Sequence, residues 1–185
     1  MSAVSTDVPS RCLLLICGSL RAESTNSALL RTVEALLPND VDADSYNGMA
    51  DLPHFNPDDD IDPLPPAVSD LRQRIARATA ILFSTPEYAG AMPGSLKNLL
   101  DWTVGGVEIS DKPVGWINIS PNPDGAARTY ESLTTVLTYT GARVVDAACV
   151  HIPVQRTAIG VDGLIHDEST RAEIAHAVAV LLRGA

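Results

Sequence analysis

The segment GSLRAESTN, residues 18–26, places many hydrogen-bond donors directly after the apolar run CLLLIC. One glycine and one capping residue would be enough for an ordinary turn between a strand and a helix. A phosphate group accepts several hydrogen bonds and is stabilised by the free N–H groups and the dipole of a helix N-terminus. The segment therefore predicts a phosphate-binding loop, with donors on Ser19, Arg21, Ser24, Thr25, Asn26 and the following Ser27.

The kind of phosphate is narrowed by two motifs that the sequence lacks. There is no G-x-x-x-x-G-K-[ST] loop, and no G-x-G-x-x-G follows the first apolar run. The only lysines, Lys97 and Lys112, lie in other contexts. The loop is therefore expected to bind a mononucleotide rather than a nucleoside triphosphate or a dinucleotide.

A second loop, PEYAGAMPGSLKN, follows the strongly apolar run TAILFST. Its prolines and glycines fix an irregular backbone, and Glu87 and Tyr88 would stand over the mouth of a site. Such a loop could present backbone N–H and C=O groups to the edge of a planar ring. It could equally be a proline-rich connection with Tyr88 on the surface, and the residues alone leave both interpretations open.

Apolar, strand-like runs alternate five times with helical patterns along the chain. This alternation predicts an open parallel sheet with helices on both faces, in one domain spanning residues 11–185. Ligands in such folds bind beyond the C-terminal ends of the strands, where the strand order reverses. Three segments should therefore form one site: GSLRAESTN, TPEYAGAMPGSLKN and SPNPDGAAR.

The composition excludes several classes of partner. The chain has 185 residues and a net charge of -10, so it is a poor candidate for binding nucleic acid or an anionic membrane. No apolar stretch approaches the ~20 residues of a membrane helix. The three cysteines favour a reduced, cytoplasmic setting. Residues 1–10 lack the apolar segment of a signal peptide and are expected to form a flexible tail.

Metal binding is not expected from the acidic and histidine residues. Asp58, Asp60 and Asp62 alternate as at the start of a calcium loop, but the glycine and the distal glutamate of such a loop are missing. A solvated acidic loop is the expectation there. The four histidines show no ligand spacing with one another or with the cysteines.

The first and second loops together resemble the NADPH-dependent FMN reductases, a flavodoxin-like family that includes quinone, azo-dye and chromate reductases. The matching motifs are GSLRAESTN and TPEYAGAMPGSLKNLLDW, in this order and spacing. The resemblance implies a three-layer αβα fold whose five-stranded parallel sheet has the order 2-1-3-4-5. It also implies FMN as cofactor and NADPH or NADH as reductant.

The resemblance further implies which residues hold FMN. The first loop would bind the phosphate, the second would line the isoalloxazine ring largely through its backbone, and Ser120 would lie near the ring from a third side. The family often has asparagine where this chain has Ala89, so a contact there must come from the backbone. No side chain is expected to act as a catalytic acid or base. The implied FMN-binding residues are Ser19, Leu20, Arg21, Ser24, Thr25, Asn26, Ser27, Pro86, Glu87, Tyr88, Ala89, Gly90 and Ser120.

The implied function is an FMN-dependent NAD(P)H oxidoreductase that transfers hydride from nicotinamide to flavin and on to a quinone, azo dye, metal oxyanion or free flavin. The resemblance also implies a homodimer or homotetramer. One alternative is a flavodoxin-type electron carrier, although such carriers cover the flavin with aromatic side chains and the first loop has none. Another is a nucleoside-handling transferase, for which Glu87 would be the nucleophile.

Overall fold

The computed structural model describes residues 11–185, so the tail expected at residues 1–10 lies outside the described residues. Five parallel strands form one sheet in the order β2-β1-β3-β4-β5, which confirms the expected order. The strands are β1 (Arg11–Cys17), β2 (Val41–Tyr46), β3 (Ala80–Ser84), β4 (Pro113–Asn118) and β5 (Arg143–His151).

Five α-helices cover the two faces of the sheet, as the three-layer fold requires. Helices α1 and α5 pack on one face, and α2, α3 and α4 pack on the other, so that each face has its own apolar core. The continuous apolar runs of β1 and β3 fit this arrangement because both faces of these central strands are buried. The helices are α1 (Thr25–Glu34), α2 (Pro66–Arg77), α3 (Gly94–Asp101), α4 (Ala127–Tyr139) and α5 (Glu168–Arg183).

The C-terminal ends of β1, β3 and β4 lie side by side, which brings the three predicted loops to one edge of the sheet. Gly18 joins the first two loops, because its N–H donates to Ser84 O over 2.8 Å. A Cβ on Gly18 would overlap the side chain of Thr85. Glycine is therefore required where the two loops approach each other.

The long segment of residues 48–65 packs against Arg72 of α2 and against Trp102, which follows α3. Asp60 forms an ion pair of 2.7 Å with Arg72, and both side chains are 9% exposed. The indole N–H of Trp102 donates to Pro53 O over 2.8 Å, and the ring of Phe55 packs edge-on against Trp102. The expected solvated acidic loop is thus wrong for Asp60, which is a buried half of an ion pair.

Among the helices within residues 11–185, none combines the length and apolar character needed to cross a membrane.

Candidate functional site

The first loop is held by its own hydroxyl groups. Ser24 caps α1, since its Oγ accepts a hydrogen bond of 3.0 Å from the Ser27 N–H. The hydroxyls of Ser24 and Ser27 lie 2.7 Å apart, and Cys17 Sγ lies 3.4 Å from Ser27 Oγ. Ser19 Oγ accepts from the Arg21 N–H over 3.2 Å. These contacts fix the loop shape and leave other groups to bind a ligand.

Two side-chain N–H donors of the first loop have no hydrogen-bond partner within residues 11–185. The Arg21 side chain is exposed, and no carboxylate of residues 11–185 lies within ion-pair distance of it. Asn26 is 8% exposed, and its Oδ1 accepts from Ser84 Oγ over 2.8 Å. Within the described residues its Nδ2 makes no hydrogen bond, so both of its hydrogens can serve a ligand.

A cleft of about 250 Å³ lies where the three loops meet. Five of the residues predicted to bind FMN contribute to it. Its lining consists of Thr25, Asn26, Thr85, Pro86, Glu87, Asn118, Ile119, Ser120, Pro121 and Ala126.

The other predicted residues lie beside this cleft rather than in it. Ser19, Leu20, Arg21 and Ser27 line an adjoining cavity of about 400 Å³ that extends toward the end of β2. Tyr88, Ala89 and Gly90 form the exposed rim of the second loop. Ser24 is 8% exposed at the start of α1.

The rim of the second loop is a tight two-residue turn. Tyr88 N–H donates to Ala91 O over 2.9 Å, and Ala91 N–H donates back to Tyr88 O over 3.1 Å. Between them, Ala89 has φ 52° and Gly90 has φ 75°. Positive φ at both central positions is the geometry that favours Asn-Gly, so Ala89 occupies a position where asparagine or glycine would be unstrained.

Glu87 ties the second loop to the beginning of α4. Its Oε2 accepts a hydrogen bond of 3.3 Å from the Thr129 N–H. The first N–H groups of a helix lack intrahelical partners, and the helix dipole favours a carboxylate at this place. The geometry gives Glu87 a supporting role in the site and accounts for it without a nucleophilic function.

Tyr130 links Thr85, which lines the cleft, to Ile117 of β4. Its hydroxyl accepts from the Thr85 N–H over 3.2 Å and lies 3.1 Å from Ile117 O, to which it can donate. Burial raises the pKa of this phenol, so the hydroxyl keeps its proton and remains a donor. The Tyr130 ring stacks on Trp116 with centroids 5.7 Å apart. The sequence contains no spacing that would indicate this role.

The third loop is shaped by Asn118. Its Nδ2 donates to Gly125 O over 2.8 Å, and its Oδ1 accepts from the Ser120 N–H over 2.9 Å. His151 Nε2 lies 2.8 Å from Ser120 O. A Cβ on Gly125 would overlap the Ser120 hydroxyl, so this loop depends on a glycine at this position.

The residues present fit a flavin mononucleotide. The free Asn26 Nδ2 lies in the first turn of α1, and the free Arg21 side chain lies in the loop before it, as suits a phosphate. The lining of the cleft includes one charged residue, Glu87, as suits a planar ring. Residues 11–185 contain no group of three or more histidine, cysteine or acidic side chains arranged to hold a metal ion.

The fold and these donors define a mononucleotide-binding α/β protein. Residues 12–157 match the family described as NADPH-dependent FMN reductase, and the chain belongs to that family.

Several characterised proteins are similar over most of their length. An NAD(P)H-dependent FMN reductase of Pseudomonas aeruginosa is 33% identical over 161 residues, which is 86% of each chain. A 2-hydroxy-1,4-benzoquinone reductase of a Burkholderia species is 32% identical, over 86% of this chain and 87% of that one. A solved structure is also similar, that of FerB, a flavoenzyme NAD(P)H:(acceptor) oxidoreductase of Paracoccus denitrificans. Its sequence is 29% identical, and the two structures superpose with a TM-score of 0.79 over 94% of this chain and 96% of FerB.

These findings confirm the flavodoxin-like fold and the class of the enzyme. The protein is an FMN-dependent oxidoreductase that uses NAD(P)H as reductant.

Proposed function

We propose that FMN binds with its phosphate on the first loop and its isoalloxazine ring against the second and third loops. The observation that carries this proposal is the two donors of the first loop, Arg21 and Asn26 Nδ2, that have no hydrogen-bond partner within residues 11–185. Asn26 lines the cleft and Arg21 lines the cavity of about 400 Å³. The remaining first-loop residues, Ser19, Leu20, Ser24, Thr25 and Ser27, shape the phosphate site. Pro86, Glu87, Tyr88, Ala89, Gly90 and Ser120 border the ring.

Bound FMN would supply two-electron redox chemistry between the nicotinamide reductant and an oxidised substrate. The protein's own residues would bind and orient the cofactor and exclude water from it. The Tyr130 hydrogen bonds join the second loop to the end of β4, and the Asn118 hydrogen bonds fix the shape of the third loop. The exposed rim at Tyr88 and Ala89 leaves the outer side accessible to nicotinamide and then to the substrate.

We propose quinones as the oxidised substrate class, because relatives over most of the chain carry quinone reductase names. The balanced reaction is quinone plus NAD(P)H plus a proton giving hydroquinone and oxidised nicotinamide. The reductant and the quinone would occupy the same place in turn. Double-reciprocal plots of the steady-state rate against one substrate, at several concentrations of the other, should therefore give parallel lines. The test is reduction of 1,4-benzoquinone by the FMN-loaded protein with NADPH or NADH. Intersecting lines or an absence of turnover would contradict the proposal.

A one-electron carrier of the flavodoxin kind would cover the ring with aromatic side chains. Within the described cleft the lining includes none, and Tyr88 on the rim is 49% exposed. This observation favours the enzyme over the carrier.

We propose that the protein forms a homodimer or homotetramer through the region after α3 and the end of α4. Val104, Val107 and Tyr139 are 64%, 80% and 89% exposed there. The two segments are joined by a hydrogen bond of 2.9 Å from Asp111 N–H to Gly141 O. Light scattering after gel filtration tests this, with Val107→Asp expected to shift the protein toward monomer. A wild-type protein that is monomeric at micromolar concentration would contradict it.

We also propose a cytoplasmic location. Cys12, Cys17 and Cys149 are all unpaired, which is the state expected in a reducing compartment. The test is fractionation of cells that express the protein at its natural level.

A further inference from the structure

Ser84 is a buried polar residue beneath the first loop. It is the last residue of β3 and is 0% exposed. Its Oγ lies 2.8 Å from Asn26 Oδ1 and 3.0 Å from Ile117 O. A serine hydroxyl has one hydrogen, so it can make a full hydrogen bond to only one of these two acceptors.

The second acceptor has another donor within reach. The Tyr130 hydroxyl accepts from the Thr85 N–H and lies 3.1 Å from Ile117 O and 3.2 Å from Thr85 O, so its one hydrogen can serve Ile117 O. The hydroxyl hydrogen of Ser84 is then used for Asn26 Oδ1. Among the described residues Asn26 Oδ1 accepts from no other donor, whereas Ile117 O can accept from Tyr130, so this assignment leaves neither of the two acceptors of Ser84 without a donor.

The direction of this hydrogen bond determines which end of the Asn26 amide faces the ligand. With Oδ1 turned toward Ser84, Nδ2 is turned away from it and can donate to an anion. In the reverse orientation, Nδ2 would donate to Ser84 and Oδ1 would face the phosphate. Two acceptors would then oppose each other, so the reverse orientation weakens phosphate binding.

We propose that Ser84 is a positioning residue, whose hydroxyl fixes the Asn26 amide so that Nδ2 points to the phosphate of FMN. The inference rests on the proposed binding of FMN by the first loop. Ser84 lies beneath the loop and need not touch the ligand. Its effect is specific to the phosphate and does not extend to the isoalloxazine ring.

The test compares the affinities for FMN and for riboflavin, which has the same ring and no phosphate. For Ser84→Ala, we expect the FMN dissociation constant to rise about tenfold, corresponding to one hydrogen bond to a charged group. The riboflavin dissociation constant should change less than about twofold, because it reports only on the ring. A loss of general loop structure would instead weaken both ligands.

Four further variants isolate the role of Ser84. Asn26→Ala should lower the preference for FMN, and adding Ser84→Ala to it should lower the preference no further, because the two residues act through one contact. Thr103→Val removes a comparably buried hydroxyl, which donates to Leu100 O, and should leave the preference unchanged. If Ser84→Ala fails to fold, Ser84→Cys keeps a weak donor and should give an intermediate preference.

The outcomes distinguish the positioning role of Ser84 from the proposed binding of FMN by the first loop. A wild-type protein that binds FMN no more tightly than riboflavin would contradict phosphate binding by the first loop. A wild-type protein that prefers FMN, together with a Ser84→Ala variant that keeps the same preference, would overturn the role of Ser84 alone. An equal loss of both ligands in Ser84→Ala would also overturn it.

Discussion

The hydroxyl of Tyr130 accepts a hydrogen bond from the backbone N–H of Thr85, which lies 45 residues earlier in the chain. The same hydroxyl lies 3.1 Å from Ile117 O, so one atom of α4 joins the ends of β3 and β4. The cleft of the candidate site begins above this junction. The separation of the second and third loops therefore depends on one buried side chain.

Tyr130→Phe should destabilise the protein by about 1–3 kcal/mol, because it leaves the buried Thr85 N–H without a partner. Urea denaturation measures this change in the free energy of unfolding. Tyr139→Phe is the matched control on the same helix, since Tyr139 is 89% exposed and should tolerate the change. Equal stabilities of the two variants would show that the buried hydroxyl contributes nothing.

Asp60→Ala should destabilise the protein by about 3–5 kcal/mol, because it leaves the buried guanidinium of Arg72 without its carboxylate. Arg72 would keep only its hydrogen bond of 2.9 Å to Trp102 O. The thermal midpoint and the urea midpoint both report this loss. Asp58→Ala, two residues away on the exposed side of the same loop, should be nearly neutral. A similar cost for both substitutions would contradict the ion pair.

Ala89→Asn should stabilise the protein by about 1 kcal/mol, because asparagine tolerates the positive φ at this position better than alanine. The measurement is the urea midpoint of the flavin-free protein. Ala91→Asn, in the same turn but outside the two positive-φ positions, should bring no gain. A destabilised Ala89→Asn variant would mean that the turn has another conformation.

Glu87→Gln should change turnover only modestly and leave FMN bound, because the amide oxygen can still accept from the Thr129 N–H. Glu87→Ala should lower turnover and flavin content more than Glu87→Gln does, since it removes the acceptor at the start of α4. Quinone reduction and flavin content are measured on the same samples. Complete loss of turnover in Glu87→Gln with ligand still bound would instead support a covalent role for this carboxylate.

The sheet and the three loops could be predicted because each depends on local patterns. The apolar runs at β1 and β3 read as strands buried on both faces, and the dense hydroxyl groups after β1 indicated a phosphate loop. The parallel connections then required the loops to meet at one edge.

The supporting contacts could not be predicted because they join residues far apart in sequence. Ser84 and Asn26 are 58 positions apart, and Glu87 and Thr129 are 42 positions apart. No periodicity or motif marks such pairs, since each is chosen by how helices and strands pack. The burial of Asp60 could not be predicted for the same reason, because Asp60 meets its partner Arg72 only when the loop folds over α2.

The visible absorption spectrum of the purified protein, recorded before and after adding FMN and then after anaerobic NADPH, tests both FMN binding and reduction of the flavin by nicotinamide. We expect that FMN binds and that its absorption bleaches rapidly when NADPH is added. Flavin that is bound but reduced by neither NADPH nor NADH would contradict the enzyme and point to a carrier. A folded protein that binds no FMN would contradict phosphate binding by the first loop.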